Sequence, residues 1–537
     1  MLAIACMLSI AAMPQAPKDS TKHPTIDITS SYKPVLRNAV KINFSASQLN
    51  ADTNHTVARY DIPKQNLFFN YRPISLKPLA LEHDTVLNLG LRNFIKAGFG
   101  NFATPYISAG FSFGDGRKSL FNVYADHISG KGKIKYQDYT QFNVKGTGSF
   151  FMPKNEFYIG AELGNKDYFL YGYDHAAHNY GKDSLRRRYQ DILLNAGLRN
   201  TSTGEFRVYY DPNVQVDIFT SDKRASESNL IAEAPVTVKF GDAFSLKVAA
   251  KADITTYTTK DQVNNVKINN NVFSVSPSLV INSPRFSVNG GIIPTWDGGN
   301  LVLLPNIFAE GQLKEKVFLV QAGWVGRYTK NTLRNLTAIN PYLKTPLEQN
   351  NTKEIEFYGG IKATVGKHFN FSAKAGLVTY NNMPFFINDT IDGKSFYVSN
   401  EKKVNNFRIH GDINYINQDK FTLTTGLTLN GYTGMQTHSR AWGTVPMELT
   451  SSLRWWAFKQ VLLKADLYVF GGGAVLLKNT SITGKGGTDL SAGAEFRINK
   501  TFSAWFDINN ILNDKYSRWH NYEVYGLNVL GGVRVTF

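Results

Sequence analysis

From about residue 93 to the end, apolar and polar side chains alternate in long runs. Val461, Leu463, Ala465, Leu467 and Val469 interleave with Lys464 and Asp466. Leu490, Ala492, Ala494, Phe496 and Ile498 interleave with Ser491, Glu495 and Arg497. Leu230, Ala232, Ala234, Val236, Val238 and Phe240 oppose Glu233, Thr237 and Lys239, and the run from Phe244 to Ile254 opposes Ser245, Lys247, Lys251 and Asp253. A period of two puts successive side chains on opposite faces, so each run predicts a strand with one apolar and one polar side. Soluble strands run about 5–6 residues. These runs are longer and match the roughly 9–11 residues of a tilted bilayer crossing. Hydrocarbon offers no partner to an open sheet edge, so such strands must close into a barrel.

The turns set the count. Short connections are expected at Gly114-Asp115-Gly116, Pro153-Lys154-Asn155, Thr203-Gly204, Gly241-Asp242, Asn282-Ser283-Pro284, Lys314-Glu315-Lys316, Gly366-Lys367-His368, Gln418-Asp419-Lys420, Phe458-Lys459-Gln460 and Asn499-Lys500-Thr501. One long polar loop separates each from the next. Short turns alternating with long loops are the mark of an outer-membrane barrel whose short turns face the periplasm. The fold expected is all-β, a transmembrane antiparallel β-barrel of about 22 strands over 93–537. A soluble propeller or tandem sandwiches would need blade motifs or shorter strands, and neither is seen.

Composition agrees. Charged residues make up 19%, below the roughly 25% of soluble chains. The 36 Phe, 27 Tyr and 7 Trp exclude global disorder, and the single Cys excludes a disulfide scaffold. No apolar run beyond the first residues is long enough for a membrane helix. The formal charge of +17 is spread along the chain with no basic arm or stripe, so nucleic acid is not expected as a partner. Residues 1–16 (MLAIACMLSIAAMPQA) read as a signal peptide.

The last strands carry a resemblance. Ile508-Asn509-Asn510-Ile511-Leu512-Asn513-Asp514-Lys515-Tyr516, then Gly526-Leu527, then Gly531-Gly532-Val533-Arg534-Val535-Thr536-Phe537 resemble the C-terminal strands of TonB-dependent receptors. The resemblance implies a barrel of the size read from the turns, location in the outer membrane, solute uptake, and a terminal Phe537 that outer-membrane assembly machinery reads. The family also carries a plug domain before its barrel. Residues 17–92 are too short for one, so a periplasmic or lumen-filling segment is expected instead. Thr25-Ile26-Asp27-Ile28-Thr29 faintly resembles the box that TonB grips and reads first as plain extended chain.

The polar strand faces nominate lumen-lining residues: Glu233, Lys239, Lys247, Lys251, Asp253, Glu310, Lys374, Lys464, Asp466, Glu495, Arg497 and Arg534. Mixed charge there suits a solute path or a salt-bridged interior lattice. Arg186, Arg187 and Arg188 are the one dense basic patch, either a lipopolysaccharide contact or a solvated face. His175 and His178 near Asp174 have metal-like spacing without an obvious third ligand, so no metal is assigned and no cofactor is expected. Phe150, Phe151, Phe157, Tyr158, Tyr168, Phe169, Tyr209, Tyr210, Trp455, Trp456 and Trp505 read as an interfacial girdle, and Trp296, Trp442 and Trp519 as loop aromatics suited to sugars. No catalytic motif appears in the right context, so the chain reads as a non-enzyme. Two functions compete: solute transport, with TonB or a surface lipoprotein as candidate partners, and a plugless scaffold in an outer-membrane assembly or secretion complex. The loops expected at about 326–354 and 381–403 favour capture of a substrate or partner.

Overall fold

The computed structural model describes residues 93–537, apart from 203–206, 223, 261–264, 315–317, 367, 418–419 and 479. The expected signal peptide, the segment 17–92 and the Thr25–Thr29 stretch lie outside the described residues.

One antiparallel sheet of 23 strand segments runs from Phe94–Gly100 to Asn528–Thr536. Val208–Tyr210 and Asn213–Ser221 both pair with Ala225–Phe240, so they are two pieces of one strand and the barrel has 22. Pro212 has no N–H to give the ladder, which accounts for the break. The sheet closes on itself. Phe94–Gly100 pairs with the last strand in continuous register, from Phe94↔Thr536 to Gly100↔Leu530. Among the described residues the barrel sheet leaves no open edge, as a membrane requires.

The alternation of the sequence becomes an inside and an outside. Phe99, Leu303, Phe357 and Leu377 each expose more than half of their surface on the outer face. A contiguous apolar surface of this extent belongs in lipid. Their strand neighbours Gly98, Leu304, Glu356 and Val378 point inward.

The first short turn shows how local chemistry fixes the near end. Gly114 and Gly116 adopt φ of 107° and 65°, conformations that glycine alone takes without strain. Between them Asp115 Oδ1 accepts N–H bonds from Arg117, Lys118 and Ser119 at 2.9, 2.6 and 3.1 Å. Those donors hold its carboxyl down at about 2.

At the far end the structure departs from the expected loops. The segment read as a loop at 381–403 is mostly strand, since Phe369–Asn388 and Phe396–Asn417 stay paired out to Asn388↔Phe396. These strands of 20 and 22 residues run on past the membrane as a ribbon. Both faces of that ribbon meet water or other loops, so it lacks the apolar alternation that marks its lower half. The loop expected at 326–354 shrinks to 330–351 and contains the helix Leu333–Ile339.

Candidate functional site

The inner wall carries ion pairs between neighbouring strands. The densest set spans four strands. Arg408 Nη2 lies 3.1 Å from Glu354 and 2.9 Å from Glu356, Lys374 Nζ lies 2.8 Å from Glu356, and Arg327 Nη2 reaches the same two carboxylates at 3.3 and 3.6 Å. His410 Nε2 and Asp412 Oδ2 are 2.7 Å apart two residues further down the Arg408 strand. A second set lies by the closing seam. Lys96 and Lys464 pair with Asp507 at 3.8 and 3.2 Å, Arg454 with Asp466 at 3.0 Å, and Arg534 with Glu495 at 3.6 Å.

Most of the nominated wall residues find partners. Lys374, Lys464, Asp466, Glu495 and Arg534 sit in these two sets, and Glu310 pairs with Lys362. Asp253 meets Lys330 of the long loop at 2.6 Å. Lys251 stands opposite Glu233 in the register of the strand pair Phe244–Lys260 and Ala225–Phe240. Lys247 lies on the same face as Lys251. Lys239 donates to Tyr209 Oη near the short-turn end, and the Arg497 guanidinium lies 5.0 Å from the Trp456 ring. Sequence reasoning missed Lys96, Arg327, Glu354, Glu356, Arg408, Arg454 and Asp507. The signal was present: Glu354 and Glu356 alternate with Ile355 and Phe357 in the same period-two pattern.

Loops roof the end opposite the short turns. Tyr171, Tyr173 and Leu185 from 170–185, Leu336, Tyr342 and Leu343 from 330–351, Phe386 and Phe396 at the ribbon tip, and Trp519 and Tyr522 from 510–527 form one buried cluster. Tyr342 stacks on Tyr522, and Tyr171 meets Tyr522 edge-on at 4.9 Å between ring centres. Hydrogen bonds tie the loops further. Tyr171 Oη donates to the Glu523 carbonyl at 2.6 Å and Tyr180 Oη to the Asp392 carbonyl at 3.1 Å. Trp442 and Trp519 are buried in this roof, so the structure offers no sugar an exposed indole there.

Glu401 fastens a further loop. Its buried carboxylate accepts N–H bonds from Gln436 at 2.8 Å, Thr437 at 2.9 and 3.1 Å, and His438 at 2.8 Å, and lies 3.0 Å from His438 Nδ1. Burial pushes this carboxyl up, but the backbone donors and the imidazole outweigh it and hold it at about 2. An ordinary Glu titrates near ~4.3. A depressed carboxyl stabilises the loop above the ordinary value, and that contribution fades as pH falls through the depressed one. Hydrogen-exchange protection of the Gln436, Thr437 and His438 amides should therefore hold from pH 7 to about 5 and fall between about 4 and 2. Glu401→Ala should remove it at pH 7. Protection unchanged in that variant would contradict the fastening.

The basic patch is largely neutralised. Arg186 and Arg188 share Asp167 at 3.0 and 2.8 Å, with their side chains about two-fifths exposed on the outer face, above Ile192 and Leu194. Arg187 points inward to Asp222 at 3.4 Å. His175 Nε2 is held by the Tyr171 carbonyl at 3.0 Å, and His178 lies against the Tyr180 ring. Asp174 caps the turn through the Ala176 and Ala177 N–H groups. Among the described residues no cluster of three metal-ligating side chains forms.

The girdle is partly corrected. Phe150, Phe157 and Trp455 face outward, whereas Tyr168 and Trp505 are buried on the inner side. Trp505 packs edge-on against Tyr106, with the Lys96 ammonium 4.0 Å from its ring. Trp296 is exposed on the outer face. Phe537 exchanges backbone hydrogen bonds with Asn93 at 3.0 and 3.1 Å and leaves its ring exposed.

No protein-family model matches the sequence, and no curated protein matches it. Solved structures match the fold. The FrpB iron transporter of Neisseria meningitidis superposes with a TM-score of 0.64 at 10% identity, over 83% of this chain and 81% of that one. The siderophore receptor PirA of Acinetobacter baumannii gives 0.64 at 9%, over 83% and 80%. The ferric enterobactin receptor PfeA of Pseudomonas aeruginosa gives 0.61 at 12%, over 83% and 80%. At such identities the likeness is one of fold, and it agrees with the C-terminal motif and with the strand count. The chain is an outer-membrane β-barrel of 22 strands, like the TonB-dependent receptors in architecture.

Proposed function

We propose that this barrel takes up a solute across the outer membrane through its lumen. One observation carries the reading: Lys166 and Lys251 project from the inner face yet remain exposed, so water reaches the wall between the charge sets. The structures it resembles are named as receptors and a transporter, which favours uptake over catalysis. The twelve nominated wall residues form the lattice along which a polar solute passes. TonB is the candidate source of energy, and Phe537 the contact for the assembly machinery. Arg186 and Arg188, on the outer face above the apolar band, are the pair that meets lipopolysaccharide phosphates, whereas Arg187 serves the wall.

A scaffold role is the second reading. Ile391 is 89% exposed at a turn pinned by Asp389, which accepts from the Ile391 and Asp392 N–H groups. A rigid apolar tip of this kind suits a partner such as a surface lipoprotein.

Proteoliposome swelling with small sugars and amino acids separates the two. Uptake predicts swelling above that of empty liposomes. Impermeable proteoliposomes together with stoichiometric membrane partners in a detergent pull-down would favour the scaffold.

A further inference from the structure

We infer that Lys330–Asn351 is a hinged lid that closes the lumen from within and swings out to admit solute, a refinement that rests on the uptake reading. Its ends lie side by side, since Thr329 and Thr352 are register partners. A segment with adjoining ends moves as a flap without disturbing the barrel. In between, the chain leaves its own strands and folds onto the inner face of strands Arg186–Asn200 through Asn265–Asn282.

The closed lid is held by the roof cluster, where Leu336, Tyr342 and Leu343 pack, by Lys344 against Asp389 and Asp392, and by polar latches to the wall. Lys330 Nζ reaches Asp253 at 2.6 Å. Arg334 sits between two wall carboxylates, Asp191 at 2.8 Å and Asp217 at 3.0 Å. Glu227 of the wall accepts the Leu333 and Arg334 N–H groups at the start of the helix, at 2.6 and 3.2 Å, and the Gln349 amide at 2.9 Å. Tyr189 and Tyr257 donate their hydroxyls to the Pro341 and Pro346 carbonyls at 2.5 and 2.7 Å.

Two features distinguish a lid from a permanent strut. First, the side chains of Arg334 and Asp191 are 34% and 27% exposed, so water already reaches this latch and can replace it when the flap lifts. Second, Asp191 Oδ1, Asp217 Oδ1, Gln349 Oε1 and Asn340 Nδ2 are buried with no hydrogen-bond partner among the described residues. Each such atom carries a desolvation penalty that water removes when the flap lifts. Closed and open states therefore lie nearer in free energy than the number of latches suggests, as a two-state element requires.

The test pairs a position with a function, in the full chain with Cys6→Ser. Spin labels at Leu347→Cys on the lid and Thr258→Cys on the wall report the distance between them. Planar-bilayer recording reports opening. The latched protein should give one narrow distance and rare openings. Arg334→Ala, and separately Asp191→Asn with Asp217→Asn, should broaden the distance and raise the open fraction about tenfold or more. Two variants cutting the same latch from opposite sides guard against a folding defect in either. A narrow distance unchanged in both overturns the lid. A broadened distance with unchanged conductance leaves the lid standing and overturns uptake through the lumen.

Discussion

Replacing Glu356 by alanine should cost the folded barrel about 3–5 kcal/mol, the scale of breaking a buried ion pair from one side. Glu356 is 1% exposed and lies within ion-pair distance of Arg327, Lys374 and Arg408. Its loss leaves Arg327 and Arg408 to share Glu354 and takes away the carboxylate that Lys374 meets. Cations held close in a half-dry wall repel one another and have lost much of their water. Glu356→Gln keeps hydrogen-bond acceptance without the charge and should fall between wild type and alanine. The measurement is the temperature at which the compact band of the unboiled protein converts to the unfolded band on a detergent gel. A loss below about 1 kcal/mol, as for an exposed pair, would show that water already fills this part of the wall.

Gly98→Leu should prevent closure altogether. Gly98 and Gly532 face each other across the seam. A Cβ on Gly98 would lie 2.3 Å from a Trp505 ring carbon and 2.5 Å from the Gly531 carbonyl oxygen, and one on Gly532 would lie 1.9 Å from the Ala97 oxygen. The ring has Tyr106 and Lys96 packed on it, and the carbonyls belong to the ladder that joins first strand to last. Neither gives way without parting those strands. The expected destabilisation exceeds about 4 kcal/mol, in the range of severe core overpacking combined with backbone displacement. Gly290→Ala is the matched control, because nothing lies within 4 Å of its added carbon. It should fold like the parent. Compact, heat-modifiable Gly98→Leu protein would contradict the closure described.

What the sequence made legible follows from which surfaces meet lipid. Wherever a strand has hydrocarbon on one side and the lumen on the other, as in Val461–Phe470, the contrast is written into alternate residues, and the count of 22 followed. The ribbon above Asn405 has no such contrast, so Asn381, Asn382, Lys402 and Lys403 looked like loop. Trp505 has the composition of a girdle residue. Only its register, with Ser503 and Asp507 on the same buried face, turns it inward. The candidate site was half visible. Single charges on the wall could be read from their apolar neighbours. The pairing of Arg334 with Asp191 and Asp217 depends on a loop folding back across more than a hundred residues, and no local pattern encodes that. The apolar faces of Leu333 and Leu336 on a seven-residue helix are too brief a signal to stand out from a polar loop.

Which barrel face meets lipid is tested most directly by fluorescence quenching with lipids brominated along their acyl chains. Variants keeping one tryptophan each are folded into such bilayers. Trp324, 49% exposed on the outer face, should be strongly quenched, and Trp505, 4% exposed on the inner face, should keep its emission. Quenching of Trp505 with Trp324 spared, or of neither, would contradict a barrel that turns its apolar side to lipid.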